Sequence, residues 1–195
     1  LHPEYFSTQL AEELSDKFSI PKWAIQHHEA HFTAILGEKN LFRNESPIIG
    51  VVWDGTGYGN DKNIWGGEIF LYQDHKIERI AQLTYFPFIV GDKMPREPRI
   101  SALAISCRVK EQKTYVRHKF SDTEWKIYKS LLDDTESLKT SSMGRLFDAA
   151  ASIVLDIDKC SYEGEAAMYL EVAARKYFED NGNHCFEPFQ IILDK

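Results

Sequence analysis

The run Pro47-Ile48-Ile49-Gly50-Val51-Val52-Trp53 carries no charge, is rich in Ile and Val, and ends on Asp54 and then Gly55-Thr56-Gly57-Tyr58-Gly59. β-Branched residues at that density favour a strand. With no charge before Asp54, the strand is expected to be covered on both faces. The alternating glycines predict a tight turn directly after it. Gly55, Gly57 and Gly59 would let backbone N–H groups approach a phosphate, with the Thr56 hydroxyl as a further donor, although a plain glycine-rich hairpin turn reads the same way. Asp54 ends an apolar strand, where an unpaired buried carboxylate is costly, so it calls for a cation or hydrogen-bond donors.

Upstream stands Gln26-His27-His28-Glu29-Ala30-His31. On a helix, His27 and His31 leave the same face one turn apart and can share one ion. Two imidazoles and a carboxylate suit zinc, iron or another divalent transition metal better than calcium. Two partly buried structural histidines would look alike, and Asp54 tips the balance toward a metal. His28, His75, His118 and His184 carry no spacing signal.

Around this centre the periodicities predict a helix within residues 1–18 (Leu10, Leu14 and Phe18, with Ser7 as a cap), a buried strand end over Lys22 to Gln26, and a helix from His27 to Gly37. Strands follow over Ile64 to Gln73 and Lys76 to Phe86, joined by a turn at Asp74-His75. A meander is expected instead of a dinucleotide-binding unit, which needs a helix right after the glycines. Gly91 to Pro98 is expected to be loop, because of Pro95 and Pro98. Helices are then predicted over Arg99 to Val109, 122–134, Ser141 to Val154 and Ala166 to Tyr177, with a last strand over Phe186 to Leu193. Met143, Met168, Trp53 and Trp65 are read as core or wall.

Several charged residues allow two readings. Lys93 and Arg96, with Glu97, form either an anion clamp or a solvated loop with an internal ion pair. Asp148 among small apolar residues, and Glu163-Gly164-Glu165 before a helix, would either cap the helix or hold a ribose.

With 43% hydrophobic and 27% charged residues, the 195-residue chain has the composition of an ordinary packed fold. A net charge of -7 and broken cationic stretches argue against nucleic acid as the main partner. No apolar run has a membrane-spanning length. Cys107, Cys160 and Cys185 are odd in number and far apart, which implies neither a disulfide framework nor a thiolate zinc site, and a reducing cytoplasm is the simplest setting. Leu1 at one end and Leu193-Asp194-Lys195 at the other read as points inside a longer polypeptide, so residues 1–195 are expected to be a fragment. Strands first and helices later give an α/β or α+β class with a mixed sheet.

Taken in order, six segments resemble the C-terminal half of the HypF carbamoyltransferases of NiFe-hydrogenase maturation. They are Gln26 to His31, Asp54 to Gly59, Ile64 to Glu68, Asp92-Lys93 with Arg96 to Pro98, Gly144 to Ala151, and Tyr162 to Met168 with Leu170-Glu171. The resemblance implies an α/β fold, a lobe of the actin-like ATPase (ribonuclease H-like) type with a mixed sheet flanked by helices, related to the enzymes that put threonylcarbamoyl on tRNA. It implies transfer of a carbamoyl group from carbamoyl-adenylate, made from carbamoyl phosphate and ATP, to the C-terminal cysteine of HypE. The metal, as zinc, iron or magnesium, would be held by His27, His31 and Asp54. The phosphate would lie on Gly55, Thr56, Gly57, Tyr58 and Gly59, and the ribose on Asp148, Glu163, Gly164 and Glu165, with Lys93 and Arg96 acting in catalysis. This chain has Glu29 where the family usually has a third consecutive histidine. A further aspartate ligand, the acylphosphatase-like, zinc-finger and YrdC-like domains, and a downstream segment are all expected outside it. A small-molecule O-carbamoyltransferase and a non-catalytic nucleotide-binding module are the competing readings.

Overall fold

The computed structural model describes residues 5–107, 115–134 and 138–182. The expected strand over Phe186 to Leu193, Cys185 and His184 lie outside them. Helix α1 (Phe6–Phe18) has the predicted span, but Tyr5 is its N-cap and Ser7 sits inside it without capping. Lys22 to Gln26 forms no strand, and only Gln26 of that stretch is buried.

Helix α2 (His27–Glu38) follows. Its apolar face, Phe32 and Leu36, closes over the sheet against Phe70 and Tyr72. Gly50 permits this contact, since a Cβ there would lie 2.2 Å from the Phe32 ring.

Strands β1 (Ile48–Tyr58), β2 (Ile64–Gln73) and β3 (Lys76–Gln82) form the antiparallel meander. Asp74 and His75 both adopt left-handed backbone at the β2–β3 turn, as a two-residue hairpin of matching twist requires. The third strand stops four residues short of Phe86, which belongs to the two-residue β4 (Phe86–Pro87). The sheet is mixed: β5 (Lys139–Thr140) runs parallel to β2 at Ile64 and antiparallel to β4.

Two expectations about β1 are corrected. First, among the described residues it is covered on one face only. Ile49, Val51 and Trp53 are exposed, alternating with half-buried Ile48, Gly50 and Val52, because α2 packs on a single side. Second, the glycines make no turn. β1 continues through Tyr58, pairing Gly57 with Trp65 and Tyr58 with Ile64. Between the pairs Trp53–Gly67 and Gly57–Trp65 the register shifts, so that Asp54, Gly55 and Thr56 bulge opposite Gly66 alone. The chain reverses after Gly59, where the Lys62 N–H donates to its carbonyl.

Gly91 to Pro98 is not all loop either. A single helical turn, α3 (Lys93–Arg96), precedes α4 (Pro98–Ser106), since a proline near a helix N-terminus removes no needed N–H. Helix α5 (Asp122–Leu132) starts on a capping box between Ser121 and Glu124. Helix α6 (Met143–Leu155) packs against α4, and small residues of both helices, Ala149, Ala151 and Ser152 on one and Ser101, Ala102 and Ala104 on the other, are essentially buried. Helix α7 (Glu165–Asn181) completes the described fold. Met143 and Trp65 are buried, while Trp53 and Met168 are exposed.

Candidate metal and nucleotide site

Gln26 caps α2, its side-chain oxygen accepting from the N–H groups of His28 (2.6 Å) and Glu29 (2.9 Å). The cap fixes where the helix starts and therefore which way its first two turns face. His27 and His31 lean toward the bulge of β1. His27 Nε2 lies 3.0 Å from Asp54 Oδ2 and 3.2 Å from His31 Nε2, and His31 Nε2 lies 3.9 Å from the same oxygen. One donor atom from each of the three residues falls within 4.8 Å of the other two.

Such separations are the edges of a coordination polyhedron whose bonds are about 2.0–2.2 Å long, the range for imidazole and carboxylate on zinc. One proton on His27 Nε2 cannot serve both the Asp54 oxygen and the second imidazole nitrogen, whereas a cation satisfies all three. The donor set therefore fits a divalent metal. Asp54 is primed for it. The His28 imidazole beside it, against the cost of burial and with the Gly55 N–H and His27 adding, holds the Asp54 carboxyl far below the usual carboxylate range.

Glycines clear the space. A Cβ on Gly57 would sit 2.2 Å from His28 Cε1 and 2.8 Å from His27 Cδ2, and one on Gly66 would sit 2.5 Å from the Asp54 carbonyl. The glycines thus admit histidines and the neighbouring backbone. The Gly55 N–H, expected to face a phosphate, donates instead to Asp54 Oδ1 at 2.6 Å.

The N-terminus of α6 abuts the same bulge. Ser142 Oγ donates toward the carbonyls of Asp54 (3.2 Å) and Gly55 (2.7 Å) and accepts from Arg145 N–H, and Gly144 brings the helix close enough that a Cβ would lie 2.9 Å from Gly55 Cα. Behind it, buried Glu68 accepts from the N–H groups of Gly66 and Gly67, from Ser141 and from Arg79, whose guanidinium lies 3.8 Å over the Trp65 ring. This network fixes the wall against which His28 rests.

Two cavities flank the bulge. One of about 440 Å³ is walled by Trp23, Ile25, Tyr58 and Ile64 and reaches His27 and Thr56. The other, of about 650 Å³, is more polar and is lined by Thr56, Asp92, Arg96, Cys160, Ser161 and Glu163.

Thr56 and Glu163, expected at the nucleotide, and Arg96, expected in catalysis, all line that second cavity. Gly164 is the left-handed N-cap of α7, and Glu165 accepts from the N–H and hydroxyl of Ser161. Lys93 points away, its ammonium donating to Tyr128 at 2.6 Å. Asp148 is buried, 2.8 Å from Arg145, with burial pushing its carboxyl up to about 6 against the pull of that guanidinium. Burial also raises the Cys160 thiol, leaving it a weak nucleophile at neutral pH.

Sequence reasoning missed Ser161, Trp23 and, above all, His28. The i, i+4 pairing in the motif belongs to His27 and His31, and it is burial that sets His28 apart.

Residues 50–192 match the sequence model described as carbamoyltransferase, Kae1-like domain, second subdomain, and residues 1–38 match the HypF Kae1-like domain. Carbamoyltransferase HypF2 of Cupriavidus necator is 36% identical over 180 residues, covering 92% of this chain and 22% of that protein. The probable carbamoyltransferase HypF of Methanocaldococcus jannaschii is 35% identical over 185 residues, covering 92% and 24%. A crystal structure of full-length HypF in the phosphate- and nucleotide-bound form aligns with a TM-score of 0.76 at 36% identity, over 88% of this chain and 22% of that one. The chain therefore spans about a quarter or less of the length of these relatives. Its mixed sheet flanked by helices is the actin-like ATPase type of fold of those neighbours. On the match over residues 50–192 and the identity across nine-tenths of its length, the chain belongs to the HypF carbamoyltransferase family.

Proposed function

We propose that this chain, as part of the C-terminal domain of a complete HypF protein, transfers a carbamoyl group from carbamoyl-adenylate, made from carbamoyl phosphate and ATP, to the C-terminal cysteine of HypE. The observation that carries this reading is the convergence of His27, His31 and Asp54 within 4.8 Å beside a polar cavity. These three side chains would hold zinc, iron or magnesium. When bound, such a cation supplies Lewis acidity toward the carbamoyl oxygen.

The remaining parts belong to the chain itself. The Thr56 hydroxyl and Arg96 guanidinium line the polar cavity and suit an adenylate phosphate, while Glu163 across from them suits ribose hydroxyls. Fixed donors orient the carbamoyl carbon and oppose the charge that develops on its oxygen. The HypE thiolate then forms the new C–S bond as the C–O bond to the phosphate breaks and AMP leaves. No nucleophile is needed from this chain, in keeping with the raised Cys160 thiol. A cytoplasmic setting is part of the same reading.

The test uses the complete protein with carbamoyl phosphate, ATP and HypE. The double variant His27→Ala, His31→Ala is expected to lose thiol carbamoylation and bound metal together, with the unfolding midpoint of the metal-stripped protein largely unchanged. Transfer at the wild-type rate by that variant removes the metal from the mechanism.

A further inference from the structure

Gln26 does more than cap α2. With its side-chain oxygen committed to two backbone N–H groups, its amide nitrogen must face the other way, where it lies 3.0 Å from the Tyr58 carbonyl and 3.1 Å from His28 Nδ1. An amide NH₂ only donates, so Nδ1 is the acceptor and carries the lone pair. The proton of the neutral imidazole then sits on Nε2. That nitrogen is buried, on a side chain with 0% exposure, and makes no hydrogen bond of ordinary geometry. It lies 3.4 Å from Asp54 Oδ2. The ring has no room to turn, with Gly57 against one edge and Trp65 at 6.0 Å between ring centres.

We propose that His28, held by Gln26 with its proton on Nε2, is a positioning residue that directs the Asp54 carboxylate toward the His27 and His31 nitrogens. Asp54 Oδ1 is fixed by the Gly55 N–H, while Oδ2 lies 3.4 Å from His28 Nε2, 3.0 Å from His27 Nε2 and 3.9 Å from His31 Nε2. His28 is not a fourth ligand. A protonated nitrogen offers no lone pair, and its ring centre is 6.4 Å from that of His31, against 4.6 Å between His27 and His31. Partners of this kind fix both the orientation and the basicity of a ligand. The inference rests on the metal-binding reading above, but its tautomer part does not depend on a bound cation.

Three variants of the complete protein, stripped of metal, separate this role from packing. Zinc and cobalt affinities are read by chelator competition, with the cobalt absorption spectrum as a signature of ligand geometry. His28→Phe fills the space without a donor and is expected to bind about 10–100-fold more weakly. His28→Gln keeps an N–H near the Nε2 position and is expected to restore binding to within a few-fold of wild type. Gln26→Glu keeps the cap acceptor but removes the donor to Nδ1, so binding is expected to weaken although His28 is untouched. A packing role predicts the reverse order, Phe tolerated and Gln poor, and that order overturns the proposal.

Neutron diffraction on the metal-free protein gives the independent readout. A deuteron on Nε2 of His28 and none on Nδ1 is expected, and a deuteron on Nδ1 overturns the proposal whatever the metal result. Failure of the wild-type protein to bind either cation defeats the metal-binding reading instead, with the deuteron still deciding the tautomer.

Discussion

Asp148 is where burial and charge oppose each other most openly. Desolvation raises its folded-state value to about 6 while Arg145 pulls it down, and in the unfolded chain the carboxyl returns to about 3.9. A raised folded value means that stability from this group is fully present below about pH 4 and lost as the pH climbs through about 6, on the order of 3 kcal/mol for about two units. Asp148→Asn removes that slope. Urea unfolding between pH 4 and 7 is expected to show the wild-type advantage over the variant shrinking by roughly that amount, and a difference that stays constant with pH contradicts the assignment. The same residue shows what the sequence conceals. Asp148 among small apolar residues read equally as ribose ligand or helix cap, because nothing local says that Arg145, three residues earlier, turns inward with it. His27, His31 and Asp54 were legible for the opposite reason. An i, i+4 pair and an acid at the end of a β-branched run carry their geometry with them.

Joints between elements hold the site in shape, and Ser142 is the clearest. One hydroxyl caps α6 and reaches the carbonyls of Asp54 and Gly55, tying the helix to the bulge of β1. Ser142→Ala is expected to cost about 1–2 kcal/mol in urea unfolding, and Ser142→Thr much less, since the cap oxygen returns. Equal losses for the two would deny the hydroxyl its role. Most elements were readable from period and punctuation, among them α2, β2, the Asp74-His75 turn and the α6 cap. The glycine segment of β1 was not. Glycines signal turns by their freedom, but here β2 continues to pair with Gly57 and Tyr58, and the glycines leave room for imidazoles instead. Charge-free composition likewise suggested a strand covered on both sides, and cannot say that one face of β1 stays exposed among the described residues.

At the largest scale the exposed face of β1 is the main feature of the described residues. Among the described residues β1 pairs only with β2, and its other edge opens on a groove of about 610 Å³ beside the exposed Val51 and Trp53. Uncovered strand edges with apolar faces associate. The 195-residue chain on its own is therefore expected to form concentration-dependent oligomers in sedimentation velocity, and Val51→Lys with Trp53→Lys to sediment as a monomer. A wild-type chain that stays monomeric at high concentration contradicts this.

The bulge has one more effect. Because Thr56 lines both the aromatic cavity and the polar one, the two chambers have one side chain in common. Enlarging that side chain narrows both at once, so neither chamber can be retuned at this position without disturbing its neighbour.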